Sequence, residues 1–337
     1  MKSGIILITL LCSSLIATAA PVSTKVIYGE DNRVDVVDSD NEIFVKLAES
    51  TAAMISTRSI REHNAEQVIF NGQSLADRGM CSDERFATQP TAANCSGFLV
   101  APNKLVTAGH CIRSQSSCDS YSWVFDYKVQ SESDEEVVVD KSNVYKCKQI
   151  ISQELSSSTQ MDYALIELDR AVEDREALTF RREGTPQKGD QLVVIGHPSG
   201  LPTKIADGAS IRSINSVYFI ANLDTYGGNS GSAVFNANTG VVEGILVRGE
   251  RDYVYDSSRG CRVSNTIGDD AGRGEDVTLI TNVEGLSDIP SQGGSDQDQN
   301  DDVDTETPDQ DDQTNDDQDE EEEESWWDRF LRWLFGE

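Results

Sequence analysis

Three short stretches of the chain carry residue types that could do chemistry together. In the first, Leu105-Val106-Thr107-Ala108-Gly109, the end of an apolar run, delivers His110, with Cys95 and Cys111 on either side. In the second, Asp162 stands just ahead of the alternating run Tyr163–Leu168, where its carboxylate can be buried beside an imidazole. The third is Tyr226-Gly227-Gly228-Asn229-Ser230-Gly231-Ser232, a serine between glycines that leads into Ala233-Val234-Phe235. A serine hydroxyl is a weak nucleophile until a neighbouring imidazole takes its proton. The imidazole in turn needs a carboxylate to fix its tautomer and stabilise its developing charge. Glycine permits the tight backbone that aims two N–H groups at one point, and Gly228 and Ser230 are the natural pair of oxyanion donors. One such donor lowers an acyl-transfer barrier by about 3–4 kcal/mol.

Taken singly, each stretch has a plainer explanation. His110 could be a satisfied core histidine, Asp162 a strand-start residue, and Ser230 part of a turn. Two other histidines could serve as base, but His63 lies in a polar stretch and His197, in GHPSG, reads as a turn between strands. The order His, Asp, Ser, with gaps of 52 and 68 residues, gives the three stretches their combined weight.

The elements that must position these groups are β-strands. From about Gln67 to Asn282, short β-branched and aromatic runs alternate with Gly, Pro, Asn and Ser, among them GFLVAPNKLVTAG, YSWVFDY, EEVVVD, YALIELD, QLVVIGHP, GVVEGILV and DVTLIT. Repeated short strands separated by turn signals predict an all-β sandwich or barrel. Ahead of them, residues 20–60 form a charged N-terminal segment with a short helix expected around Glu42–Met54.

The ends of the chain differ from this body. Residues 1–19 combine Lys2, an apolar run from Ile5 to Leu11 and a small-residue Ala17-Thr18-Ala19 end, the pattern of an export signal. That places the protein outside the cytoplasm: extracellular, periplasmic or at the cell surface. Six cysteines remain beyond it, Cys81, Cys95, Cys111, Cys118, Cys147 and Cys261, an even number that favours disulfides in an exported chain. Six allow fifteen complete pairings, and the sequence alone fixes none. A crosslink across the roughly 15-residue step from Cys95 to Cys111 would stabilise by about 3 kcal/mol and hold the histidine at its strand end. With three histidines and no Cys-x-x-Cys spacing, no metal site is expected, and the chemistry needs no cofactor.

The net charge of −31 is uneven, since residues 291–325 hold seventeen acidic side chains and no basic ones. The body that remains is still acidic, which disfavours nucleic acid as a partner. Residues 288–325 have almost nothing to bury and predict a disordered acidic linker. Their alternating aspartates lack the glycine and closing glutamate of a calcium loop. In the last segment, 326–337, Trp326, Trp327, Phe330, Leu331 and Leu334 share one helical face opposite Asp328, Arg329 and Arg332. That face could dock on a membrane interface, on a partner or on the protein's own body.

TAGHC, DYALI and GGNSGS resemble the three signatures of trypsin-like serine peptidases, closest to the bacterial glutamyl-endopeptidase branch, and VIYGEDNR is similar to the mature amino-terminal region of that branch. The resemblance spans roughly residues 26–285. It implies two six-stranded antiparallel β-barrels of the chymotrypsin-like type, a protease domain over 61–287, and a triad of His110, Asp162 and Ser230. It also implies a Cys95–Cys111 bridge, a monomer, and protein or peptide substrates. The remaining cysteines could join Cys118 with Cys147 and Cys81 with Cys261. A pro-segment over 20–25 would end at Lys25. Animal digestive members hold an Asp where this chain has Asn229, so the ion pair that activates them is not available here. Specificity walls are implied at Asp224, Thr225, Tyr226 and Gly227, and at Leu246, Arg248 and Gly249. Leu246 replaces the histidine of glutamate-specific relatives. Asp224 stands where basic-specific members keep their acid, Arg248 could instead receive an acidic side chain, and the two could neutralise each other. The competing reading is a catalytically silent binding or adhesion protein of the same fold.

Overall fold

The computed structural model describes residues 27–131 and 133–290. The expected export signal at 1–19, the expected pro-segment at 20–25, the acidic residues 291–325 and the aromatic segment 326–337, with Trp326, Trp327, Phe330, Leu331 and Leu334, lie outside the described residues.

Two closed antiparallel barrels make up the body. The first is built from β1 (Thr51–Ser56), β2 (Ala93–Ala101), β3 (Lys104–Thr107), β4 (Tyr121–Phe125), β5 (Val144–Leu155) and β6 (Asp162–Leu168). Around its circumference the order is β1-β2-β3-β6-β5-β4, with β4 pairing back to β1. The second uses β7 (Gln191–Gly196), β8 (Lys204–Ile214), β9 (Tyr218–Ala221), β10 (Ala233–Asn236), β11 (Val242–Arg248) and β12 (Glu275–Leu279). Its order, β7-β8-β9-β12-β11-β10 with β10 back to β7, repeats that of the first. Closure leaves neither barrel a free edge within its ring of strands.

The apolar runs fill the two interiors. Phe98, Leu105, Trp123 and Ile166 are fully buried in the first barrel, and Leu192, Phe219, Val234 and Val277 in the second. Burying each such side chain is worth about 1.5–3 kcal/mol, which makes these the residues that set strand register.

Several elements differ from the sequence expectation. The helix over Glu42–Met54 is real only over Glu42–Ala48, capped by the Asn41 side chain, which accepts from the N–H groups of Ile43 and Phe44. Thr51–Ser56 is instead the first barrel strand, hydrogen-bonded on both sides, so ladder pairing overrides local helix preference. The barrel therefore begins inside the stretch set apart as 20–60, not at residue 61. The long β5 and β8 carry no clean alternation because each contains irregularities of register.

A short N-terminal strand, Arg33–Asp35, adds to β8 through pairs such as Asp35 with Lys204. There the Lys204 ammonium is buried and bonds Asp35 Oδ1 at 2.5 Å, Gln89 Oε1 at 2.7 Å and the Pro202 carbonyl at 3.1 Å. Burial pulls this amine down to about 8 while the Asp35 carboxylate opposes the shift. Removing one partner of such a pair leaves an uncompensated charge. Asp35→Ala should accordingly cost about 3–5 kcal/mol of unfolding free energy in chemical denaturation. A loss below about 1 kcal/mol would show that Lys204 does not depend on this carboxylate.

Candidate active site

His110 follows the Ala108-Gly109 turn at the end of β3, and Asp162 opens β6, its pairing partner. The turn needs a glycine because a Cβ at Gly109 would lie 2.2 Å from the Glu154 carbonyl oxygen. The His110 ring Nδ1 and Asp162 Oδ2 are 2.8 Å apart, and Asp162 Oδ1 accepts from the His110 backbone N–H at 3.0 Å. Asp162 is 2% exposed, so its two oxygens are occupied in holding one residue. The imidazole itself is partly open to solvent.

Ser230 comes from the second barrel, on the loop that leads into β10. Its carbonyl accepts from Ser96 N–H of β2 at 2.8 Å and lies 3.7 Å from Cys111 Sγ, the residue after His110. Next to it, Gly231 adopts φ +89°, and a Cβ there would stand 2.1 Å from the Ser96 carbonyl oxygen and 2.3 Å from Thr107 Oγ1. The loop is thus pressed onto the first barrel with no room for a side chain. Among the described residues the Ser230 hydroxyl has no hydrogen-bond partner, and no bond joins it to His110.

The backbone around the serine has a defined orientation. The Gly227 carbonyl accepts from Ser199 N–H at 2.6 Å, and the Asn229 carbonyl from Ser232 N–H at 2.8 Å. All described peptides are trans, so the N–H of Gly228 and that of Ser230 point away from these anchored carbonyls. Neither N–H has an acceptor among the described residues. The Gly228 carbonyl is held in turn by the Ser96 hydroxyl at 2.9 Å.

The other histidines are placed apart from this site. His197 is fully buried against Tyr127, its Nδ1 3.2 Å from the Leu201 carbonyl, and burial drives it down to about 3. His63 is exposed on a hairpin. Three disulfides are present, Cys81–Cys261, Cys95–Cys111 and Cys118–Cys147. The thiols nearest His110 are therefore spent in a bridge and offer no thiolate to a metal.

A cavity of about 160 Å³ adjoins Ser230, walled by Thr225, Tyr226 and Gly227 on one side and by Leu246 to Gly249 on the other. Asp224 does not line it. The Asp224 carboxylate faces the N-terminal segment instead, accepting from Tyr28 N–H at 2.8 Å and Asn32 N–H at 3.0 Å. Arg248 is likewise not its partner, since its Nε bonds Asp276 at 3.0 Å and a terminal nitrogen reaches the Gln160 carbonyl. The acids that do line the cavity are Glu250, Asp252 and Glu275, none of them singled out in the sequence. An acid at the start of a strand, such as Glu275, looks like a surface charge until the fold buries it. Asn229 sits near the Ser232 hydroxyl at 3.3 Å, while the described N-terminus pairs elsewhere, Ile27 with Thr266.

The sequence family agrees with the architecture. Residues 95–245 match the trypsin-like peptidase domain. The matched stretch runs from the Cys95–Cys111 bridge into the strand Val242–Arg248 and so takes in strands of both barrels. Among solved structures it is similar to a Glu endopeptidase in complex with MPD, at 18% identity and a TM-score of 0.45, over 76% of this chain and 94% of that one. It is also similar to the Vibrio cholerae VesB protease, at 15% identity and a TM-score of 0.44, over 76% of this chain and 65% of that one. A comparison with curated proteins finds no match.

Glu275 makes the cavity sensitive to pH. It is 2% exposed, and burial raises its carboxyl from 4.5 to about 8, even though the Thr225 hydroxyl donates to it at 2.9 Å. Because the folded state holds this proton more tightly than the unfolded chain, the stability it contributes is complete below about pH 4.5 and lost as pH rises through about 8. Glu275→Gln should therefore flatten the fall of the thermal midpoint across that window. An unchanged slope would mean that Glu275 titrates elsewhere.

Proposed function

We propose that the chain is an exported serine endopeptidase that hydrolyses peptide bonds through an acyl-enzyme on Ser230. In this reading the Ser230 oxygen attacks the scissile carbonyl as His110 takes its proton, and His110 then returns that proton to the leaving amine. Asp162, bonded to both the ring and the backbone of His110, holds the imidazole with its other nitrogen toward the serine. The acceptor-free N–H groups of Gly228 and Ser230 supply the oxyanion hole, and water releases the acyl group by the same steps in reverse.

The observation that carries the reading is the pairing of a buried carboxylate with His110 next to two backbone donors left without acceptors. Buried or half-buried N–H groups are rarely left unpaired, and a developing oxyanion is the partner such a pair suits. Catalytic hydrogen bonds often form only when substrate arrives, so an unbonded Ser230 hydroxyl is compatible with this role. The cavity between Thr225–Gly227 and Leu246–Gly249 would receive the side chain before the scissile bond. Export is supported by the leader-like residues 1–19 and by the disulfides, which persist in oxidising compartments.

Ser230→Ala should lower peptide hydrolysis by about a million-fold if the three residues act as a unit. The same variant should lose labelling by a serine-directed phosphonate that the parent protein takes up. A folded parent that neither cleaves a peptide library nor accepts the label would favour the silent binding protein instead.

A further inference from the structure

A second and larger cleft, of about 940 Å³, begins where the first cavity ends. It shares Gly227 with that cavity, includes Gly228, and runs along Ala93 and Asn94, the residues just before the Cys95–Cys111 bridge beside His110. Five arginines line it: Arg58, Arg61, Arg78, Arg251 and Arg262. All five are exposed, and none forms an ion pair among the described residues. Arg78 donates to the Ser199 carbonyl at 2.9 Å, a neutral acceptor. Arginines elsewhere in the fold, such as Arg33, Arg175, Arg181 and Arg248, are paired with carboxylates.

The concentration is unexpected in a chain of net charge −31, where a cation has many carboxylates to choose from. Only one acidic residue, Asp252, lines the cleft, and its carboxylate already accepts from Gly227 N–H at 2.8 Å. Two of the arginines also have a fixed frame. The Cys81–Cys261 bridge and the bonds of Cys81 N–H to the Arg262 carbonyl and Arg262 N–H to the Gly79 carbonyl clamp together the two loops carrying Arg78 and Arg262. Five guanidinium groups without an ion pair among the described residues, two of them on a braced wall, form a positive pocket. Such a field concentrates anionic ligands and steers them to the site.

We infer that this cleft is the leaving-group side of the substrate site, and that it selects acidic residues after the scissile bond. The inference rests on the peptidase reading above. The acyl half of a substrate fills the cavity beside Ser230, so the chain beyond the scissile bond must leave past Gly228 and the Cys95–Cys111 bridge, where the arginine cleft opens. Guanidinium groups bind carboxylates by paired, charge-assisted hydrogen bonds, which suits Asp and Glu side chains on an extended peptide.

The test uses the full chain and quenched fluorogenic peptides with an equimolar residue mixture before the scissile bond. After it they carry Asp-Asp, Ala-Ala or Lys-Lys at the second and third positions. The expected result is a kcat/KM about tenfold higher for the acidic than for the neutral series, and lower again for the basic one. The preference should shrink in high salt, and it should fall to within about twofold in the pair of double variants Arg58→Gln/Arg61→Gln and Arg78→Gln/Arg251→Gln. Two double variants from different loops guard against a misfolded one. Cleavage of all three series at equal rates, with Ser230→Ala inactive, would overturn the acidic subsite and leave the peptidase standing. No cleavage of any series would overturn the peptidase reading and the subsite with it.

Discussion

Ser96 sits at the seam on which the rest of the site depends. Its N–H donates to the Ser230 carbonyl, and its hydroxyl donates to the Gly228 carbonyl while accepting from His197 N–H. One β2 residue of the first barrel thereby fixes the backbone on both sides of Asn229 in the second. Gly231 completes the contact, since any Cβ there would collide with the Ser96 carbonyl. In the proposed peptidase, a serine held in this way has little freedom to drift from the imidazole that the first barrel supplies. Pre-set geometry of this kind spares the reaction the entropy of bringing its groups together.

Charges buried in the second barrel are taken up by local partners. Burial isolates Lys204 and Asp35 as a pair behind the second barrel, and Asp224 is occupied by two backbone N–H groups of the N-terminal segment. Burial raises Asp224 to about 7, and the N–H groups of Tyr28 and Asn32 that it anchors oppose that shift. Positive charge, in contrast, has no ion-pair partner among the described residues along one cleft only a few residues from Ser230. An otherwise acidic protein thus carries a local concentration of positive charge beside the Ser230 loop.

Much of the fold was legible because its strands announce themselves. Leu105–Thr107, Tyr163–Leu168 and Leu192–Ile195 are short apolar runs bounded by turn residues, and the barrel architecture followed from their repetition and from the family resemblance. The register-shifted strands Val144–Leu155 and Lys204–Ile214 hid behind their irregularities, and Thr51–Ser56 behind a helix-like composition. At the site, His110, Asp162 and Ser230 stood out because glycine and strand context surround each of them. The cavity walls did not stand out. Whether Asp224 or Glu275 faces the cavity is decided by which way a buried side chain turns, and spacing along the chain carries no record of that. The arginine cleft was equally hidden, since its members are scattered from Arg58 to Arg262 and meet only after two loops are joined.

The Cys81–Cys261 bridge spans 180 residues and binds a loop of the first barrel to a hairpin of the second. A backbone cut anywhere between those two cysteines leaves a single covalent molecule. In the company of proteases, nicked copies therefore keep His110 and Ser230 on one tethered body, and damage to exposed loops does not let the halves diffuse apart.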